Sequence, residues 1–508
     1  METLNEVARP RLRRWWWPIV LVGVLAALAA GLLGLKWRFD PLLHARAIAM
    51  LENRFDSDVE IRDFHANLFP LGIDGGGLEL RLHGRTDVPP LIAIQKFHAD
   101  ASLVGIFRWH LRQIEVEGMQ IQIPPKGSNP NPLPKRKVRE IKVSVGEFLA
   151  KNVQLIITPK DPKKDPHIFD IHDLTMHNLG LGRSASFTTT LTNATPPGEI
   201  ESEGHFGPWD REEPSSTPVD GSYNFQHADL GVFHGISGIL ASTGKFNGPL
   251  NELGVEGETT TQDFTVDVGG HPVRLTTQYQ ATVDGSNGDT LLHPVIAQFL
   301  HTTLICNGGI VKPQEGHGKE IALDVVANVA RLEDLMALAV KGKPPMTGSV
   351  KLKTKFDLPP GKGEIADRLK LKGQFAIAQG NFTELSIQDK IKALSRRGQG
   401  KPEEASAGSA VTELSGDFAL SNGMLTFRDL NFGVTGANID LAGTYALRTG
   451  ELNFQGHLKL AAKLSETMTG IKSWLLKPVD PFFRKNGETV LPIKITGTRD
   501  HPSFGLNL

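Results

Sequence analysis

Gly373-Gln-Phe-Ala-Ile-Ala-Gln-Gly380, Gly416-Asp-Phe-Ala-Leu-Ser-Asn-Gly423 and Gly443-Thr-Tyr-Ala-Leu-Arg-Thr-Gly450 are three copies of one degenerate pattern, the mark of an internal repeat. Each puts an apolar residue at every second position, which describes a strand with one apolar face. A shorter form, two apolar residues spaced by two and Gly two further on, recurs six times: Ile114-Val116-Gly118, Leu253-Val255-Gly257, Leu369-Leu371-Gly373, Ile439-Leu441-Gly443, Leu452-Phe454-Gly456 and Ile493-Ile495-Gly497. Side chains alternate faces along a strand, so each Gly shares the apolar face and interrupts it. Glycine inside a strand marks a bulge, a kink or a close approach of backbone, and a row of such kinks curves a sheet into a trough. The competing reading at any one copy is a Gly that ends a strand and begins a turn. The trough predicts that Gly373, Gly416, Gly443 and Gly456 share the concave face with Leu371, Phe375, Leu441, Tyr445, Phe454 and Leu458, while Lys372 and Gln374 point outward.

The same texture extends in both directions. Val59/Ile61, Leu78/Leu80/Leu82, Ile92/Ile94, Ile114/Val116 and Ile121/Ile123 alternate with polar residues, with a one-residue slip at Gly118-Met119 that reads as a β-bulge. Ile141/Val143/Val145, Phe264/Val266/Val268, Ile321/Leu323/Val325, Val350/Leu352, Phe427, Phe432/Val434 and Phe504/Leu506/Leu508 continue it. Beyond the Pro-rich stretch at Pro124 to Pro134, helical periodicity is confined to Arg331 to Val340, Leu385 to Arg397 and Ala461 to Leu475. Pro-, Gly- or charge-rich loops fall at Pro124 to Pro134, Gly207 to Pro218, Lys341 to Pro345, Pro359 to Gly363 and Gly398 to Gly408. Fifty-three Gly, 32 Pro and 7% aromatics suit short strands joined by turns.

Trp15 to Leu35 is 21 residues without a charge, long enough at about 1.5 Å per residue to cross a bilayer core of about 30 Å. Trp15, Trp16 and Trp17 sit where an aromatic belt would, and Arg9, Arg11, Arg13 and Arg14 crowd the N-terminal flank, which keeps the N-terminus cytoplasmic. A cleaved signal peptide with Ala27-Leu28-Ala29 as its cleavage site is the alternative, disfavoured because the apolar run continues to Leu35. Asp40-Pro41 then starts a helix, Asp as N-cap, with Leu42, Leu43, Ala47, Ile48 and Leu51 on one face. The expected division is a cytoplasmic tail (1–14), a membrane anchor (15–35), an opening module (36–123), a Pro-rich loop (124–140) and a repetitive β region (141–508).

Fifty-five Lys and Arg balance 56 Asp and Glu, which excludes a large net field that draws the chain to nucleic acid or to an anionic membrane surface. The single Cys306 excludes an internal disulfide and reads as a small buried apolar residue. No Walker loop, G-x-G-x-x-G, G-x-S-x-G, H-E-x-x-H or C-x-x-C occurs, so no motif points to an enzyme, cofactor or metal. His167, His172 and His177 are spaced by five, which fits one face of neither helix nor strand, and read as a solvent-facing loop. Lys390, Lys392, Arg396 and Arg397 lie on an amphipathic helix and read as a solvated face, with contact to lipid headgroups as the alternative.

The N-terminal anchor, Leu42 to Leu51, Asp58-Val-Glu-Ile61, Leu68-Phe-Pro-Leu-Gly-Ile73, Ile94-Gln-Lys-Phe-His-Ala-Asp-Ala-Ser-Leu103, Arg112-Gln-Ile-Glu-Val-Glu-Gly118 and the strand Gln120 to Ile123 together resemble the opening module of the AsmA family of envelope proteins, whose larger relatives include TamB. Gly416 to Leu460 resembles the family's C-terminal β-repeat, and the middle of the chain resembles it in texture. The resemblance implies a mainly β fold: a transmembrane helix, then a long, strongly curved antiparallel sheet forming a U-shaped groove, with a few short amphipathic helices. It implies a single-pass inner-membrane protein with its large domain in the periplasm, handling phospholipid or another envelope lipid without catalytic residues or cofactor. Outer-membrane or envelope proteins are further candidate partners, and a non-catalytic scaffold or outer-membrane protein assembly factor is the alternative function. The candidate lipid-binding residues are Leu371, Phe375, Ile377, Phe418, Leu420, Leu441, Tyr445, Leu447, Phe454 and Leu458.

Overall fold

The computed structural model describes residues 40–52, 57–68, 70–82, 89–102, 105, 110–123, 144–158, 166–180, 183–210, 214–267, 269–313, 318–361, 363–403, 412–469, 471–499 and 501–506. Trp15 to Leu35, Pro124 to Pro134, Ile141, Val143, Val268 and Leu508 lie outside the described residues. No helix among those described is long and apolar enough to cross a membrane. The fold is mainly antiparallel β with a few short helices. Contacts divide it into two compact units, one of 1–122, 131–154 and 173–183, the other of 123–130, 155–172 and 184–508.

In the first unit, helix α1 (40–52) precedes an antiparallel meander of β1 (Ser57–Leu68), β2 (Leu71–Leu82), β3 (Ile92–Ala101) and β4 (His110–Ile123). The helix lies against β1: the Asp40 carboxylate accepts from the Ala66 backbone N–H at 3.2 Å, and His44 stacks on Phe64 at 5.1 Å. Asp40, expected to act as a cap, thus ties the helix to the sheet. The slip at Gly118 is present in the burial, since Val116 and Met119 are both buried although three apart. It is not a bulge, because Lys96 opposite Glu117 and Ile94 opposite Met119 keep one register. Instead Gly118 adopts φ +69°, a left-handed conformation that glycine takes without a Cβ clash.

A charge ladder crosses the polar side of these strands. His98 Nδ1 meets Asp74 at 2.5 Å, His98 Nε2 meets Asp100 at 3.2 Å, and Arg112 donates to Asp100 at 3.0 Å. The hydrogen bond to Asp74 raises the His98 pKa above its usual 6.5, while His98 and Arg112 hold Asp74 and Asp100 below theirs. The raised His98 pKa contributes stability that is full below about pH 6.5 and lost as pH rises through the folded value; the depressed carboxylates contribute above about pH 4 and lose it in acid. Hydrogen exchange of β2 and β3 should therefore slow on going from pH 8 to 6 after correction for intrinsic rates, and His98→Gln should remove that limb. An unchanged profile in the variant would assign the pH dependence elsewhere.

β5 (Ser144–Ile157) and β6 (His167–Leu179) contribute residues to both units. His167, His172 and His177 lie on β6, which corrects the expected loop; His172 and His177 are exposed, and His172 hydrogen-bonds Thr192.

In the second unit the chain pairs in sequence order through β7 (Ala185–Ala194), β8 (Pro197–Phe206) and β9 (Pro218–Asp229). The two-residue β10 (Ile236–Ser237) sits on β12 (Leu253–Val266), and β9 pairs with β11 (Ile239–Pro249). The ladder continues through β13 (Val273–Asp284), β14 (Asp289–Phe299), β15 (Thr302–Val311), β16 (Glu320–Arg331), β17 (Met346–Leu358) and β18 (Lys370–Phe382). β19 (Thr412–Ser421), β20 (Met424–Val434), β21 (Ala437–Ala446) and β22 (Glu451–Leu460) follow as hairpins. The two-residue β23 (Arg484–Lys485), then β24 (Glu488–Thr498) against β22, and β25 (Pro502–Leu506) complete it.

Two of the three helical patches form as read: α2 (Leu332–Ala339) and α3 (Leu385–Gly398). The third, Ala461 to Leu475, is broken into a 3₁₀ turn at Leu464–Thr467 and a short helix at Ile471–Leu476. α2 packs Leu335 and Met336 on a core of Ala327, Ala330, Met346, Val350 and Ile377. α3 packs Ile391 and Leu394 on Val434, Ala437 and Leu460. Asp334 anchors α2 to β15: its carboxylate accepts from the His301 N–H and the Thr302 hydroxyl, each at 2.9 Å, and Thr302 Oγ1 in turn accepts from the Arg331 N–H at 3.0 Å.

Candidate functional site

The register of β17 to β22 arranges the repeat into four adjoining cross-strand rows. One reads Phe356, Leu371, Leu420, Leu425, Tyr445, Leu452, and the next Thr354, Gly373, Phe418, Phe427, Gly443, Phe454. The third is Leu352, Phe375, Gly416, Leu430, Leu441, Gly456, and the fourth Val350, Ile377, Leu414, Phe432, Ile439, Leu458. Nine of the ten candidate residues fall in these rows. The tenth, Leu447, lies just past the end of β21 in the following turn and is 37% exposed. Lys372 and Gln374 are exposed, as expected of the opposite face.

Gly373, Gly416, Gly443 and Gly456 are mid-strand, two in each of the two inner rows. A Cβ on any of them would meet a carbonyl oxygen of the adjacent strand: Lys353 at 2.3 Å, Asp429 at 2.3 Å, Asn453 at 2.2 Å and Asp440 at 1.8 Å respectively. The neighbouring backbone therefore occupies the space a side chain would need, the close approach that the repeat suggested. Gly423 and Gly450, which close two of the long copies, are turn glycines instead.

Aromatic rings lean into the space the glycines leave. Phe427 and Phe454 stand on either side of Gly443, two strands apart, yet their centroids are 5.9 Å from each other, well under the roughly 9.6 Å between alternate strands of a flat sheet. Phe375 lies 6.0 Å from Phe418 and 6.2 Å from Phe427. The rings converge, so this face is the inner one of a locally curled sheet.

Within the rows the two polar side chains are the Tyr445 phenol and the Thr354 hydroxyl, and no ionisable carboxyl, amine or imidazole occurs. Phe454, Leu420 and Ile377 are buried, whereas Leu371, Phe375, Phe418, Leu441, Tyr445 and Leu458 retain partial exposure. Ile377 and Leu458 belong to the clusters beneath α2 and α3, which close the fourth row. The remaining three present a semi-exposed apolar surface suited to alkyl chains and lacking an acid, base or nucleophile of the usual kinds.

Three features were not read from the sequence. Phe427 and Leu430, three apart, share the face because β20 bulges at Arg428-Asp429, the register shifting on both sides of it. Between β9 and β13 the inner face turns hydroxylic: Tyr223 and Tyr279 reach over Gly244 and Gly257 until their hydroxyls hydrogen-bond, and Ser242 Oγ lies 3.1 Å from Tyr223. Burial raises the Tyr223 pKa and keeps it neutral. At the ends of β16 and β17 a hydrogen bond to Asp357 raises the Glu320 pKa, and Lys370 lies 3.8 Å from Asp357. Cys306, half-buried on β15, has its thiol pKa raised by burial.

No group of three or more His, Cys, Asp or Glu side chains placed to hold a metal ion occurs among the described residues. Comparison with protein families, curated proteins and solved structures finds no match to this chain.

Proposed function

We propose that this chain is a non-enzymatic, membrane-anchored periplasmic protein that binds the acyl chains of phospholipid or another envelope lipid along the inner face of β17 to β22, and transfers them in maintenance of the outer membrane. The observation that carries the reading is the set of four adjoining apolar rows, free of ionisable carboxyl, amine or imidazole groups and only partly buried over three of them. Soluble proteins rarely leave a contiguous apolar surface of this kind without a ligand. The resemblance of Leu42 to Ile123 and of Gly416 to Leu460 to the AsmA family points the same way, and Trp15 to Leu35 supplies the anchor.

Photo-crosslinking residues at Phe375, Phe418 and Tyr445 should label phospholipid in cells, and the same residues at Lys372 and Gln374 should not. Mass spectrometry of the detergent-extracted chain should find phospholipid, and a reporter fused after Leu508 should be active only when exported. Equal labelling from both faces, or extracts repeatedly without lipid, would remove the basis for the reading and leave a scaffold or assembly factor.

A further inference from the structure

The connection between β22 and β24 carries a feature the lipid-binding face does not use. Trp474 and Leu475, on the short helix Ile471–Leu476, are 70% and 60% exposed, and Phe482, on Asp480–Phe483, is 84% exposed. Large apolar side chains this open are costly to leave in water. The segment that carries them is itself cationic, with Glu466 on the adjoining turn and Glu488 opposite Lys485 as the nearby acids outside it. From Ile471 to Lys485 the chain has Lys472, Lys477, Arg484 and Lys485, all exposed, against a single acid, Asp480. That carboxylate is engaged, accepting from the Ser465 N–H at 2.8 Å and the Ser465 hydroxyl at 2.6 Å.

The position also matters. Asp480–Phe483 packs against β24, which pairs along one edge with β22 and along the other with β25, the short final strand. Two of the apolar rows run on through Ile493 and Ile495 of β24 to Leu506 and Phe504 of β25, which are 56% and 71% exposed. The apolar face thus reaches the open at the strand beside the exposed helices.

We infer that this end of the sheet docks on a bilayer surface containing anionic phospholipid, Trp474, Leu475 and Phe482 entering the interface while Lys472, Lys477, Arg484 and Lys485 meet the headgroups. Aromatic and aliphatic side chains beside basic ones are the chemistry of interfacial membrane binding, each half strengthening the other. A protein partner would need a matching acidic, concave surface, whereas a bilayer supplies both charge and apolar depth to short helices of this size. The inference goes beyond lipid binding on the inner face, and the two can fail separately.

The full chain, held in phosphatidylcholine nanodiscs, is offered separate fluorescent vesicles of either phosphatidylethanolamine with phosphatidylglycerol or phosphatidylcholine alone, and captured vesicles are counted. Wild-type protein should capture the anionic vesicles at least tenfold better than the neutral ones, with the preference falling in high salt. Trp474→Glu with Phe482→Glu should lower capture about tenfold, and Lys472→Glu with Lys477→Glu should do the same, without changing lipid labelling from Phe375. Should the double aromatic variant misfold, Trp474→Ser, at a site 70% exposed, replaces it with an expected threefold loss. No capture by the wild type, equal capture of neutral vesicles, or full capture by correctly folded variants would each overturn the inference.

Discussion

Replacing Gly456 with alanine should destabilise the β21–β22 region by about 3 kcal/mol, at the upper end of the usual cost of forcing atoms into a filled space. The new Cβ would lie 1.8 Å from the Asp440 carbonyl oxygen and 2.8 Å from its carbon. Backbone cannot rotate away as a side-chain tip can, so the strands must separate and the ladder around Leu441 must loosen. Gly443→Ala, 2.2 Å from the Asn453 oxygen, should behave alike. Gly433→Ala is the control: it lies on β20 in the same sheet, where a Cβ would meet its nearest neighbours at 3.8 and 3.9 Å. That change should stay within about 0.5 kcal/mol, or stabilise slightly by restricting the unfolded chain. Hydrogen exchange of peptides from 437–460 reads the difference locally, which matters because a sheet built from sequential hairpins need not unfold as one unit. If Gly456→Ala and Gly433→Ala cost the same, close backbone approach is not what these glycines provide.

Asp334→Ala should cost about 3 kcal/mol, read in β15 to β17. Asp334 and Thr302 are almost fully buried, and the carboxylate accepts two hydrogen bonds, from the His301 N–H and the Thr302 hydroxyl. Hydrogen bonds to a charged group are among the stronger ones, and removing the acceptor strands buried donors without a partner. Asp334→Asn keeps an acceptor oxygen of the same size and should lose only about 1 kcal/mol. The ratio of the two costs, more than either value, tests whether this carboxylate is the pin between α2 and β15. Equal costs would point to charge as the whole effect.

Much of the β architecture was legible in the alternation, because a strand with one wet face must change polarity at every step. The helices α2 and α3 were legible for the matching reason, their periodicity breaking that alternation over whole turns. The mid-strand glycines were legible as close approaches at Gly373, Gly416, Gly443 and Gly456, since the apolar alternation continued through them. What could not be read was anything set by pairing. The bulge at Arg428-Asp429 brings Phe427 and Leu430 to one face although their spacing assigns them to opposite ones, and it is specified by the partners on β19 and β21. Leu447 kept the period of Tyr445, yet β21 ends at Ala446 because the turn toward β22 begins there. The tyrosine bridge over Gly244 and Gly257 was missed because its two halves are 56 residues apart, and neither carries a local signal.

From β12 to β21, each strand pairs with the one before it and the one after it. Most of the loops that folding must close there are short, so contacts form between residues that leave the ribosome or a translocation pore within seconds of one another. Such a chain can zip up from its leading end while its tail is still unfolded, each finished hairpin serving as the template edge for the next. The same order makes length a free variable. Adding or deleting one hairpin changes two interfaces and leaves the others untouched, so the sheet can be lengthened or shortened by duplication in steps of two strands, with the cost confined to the seam.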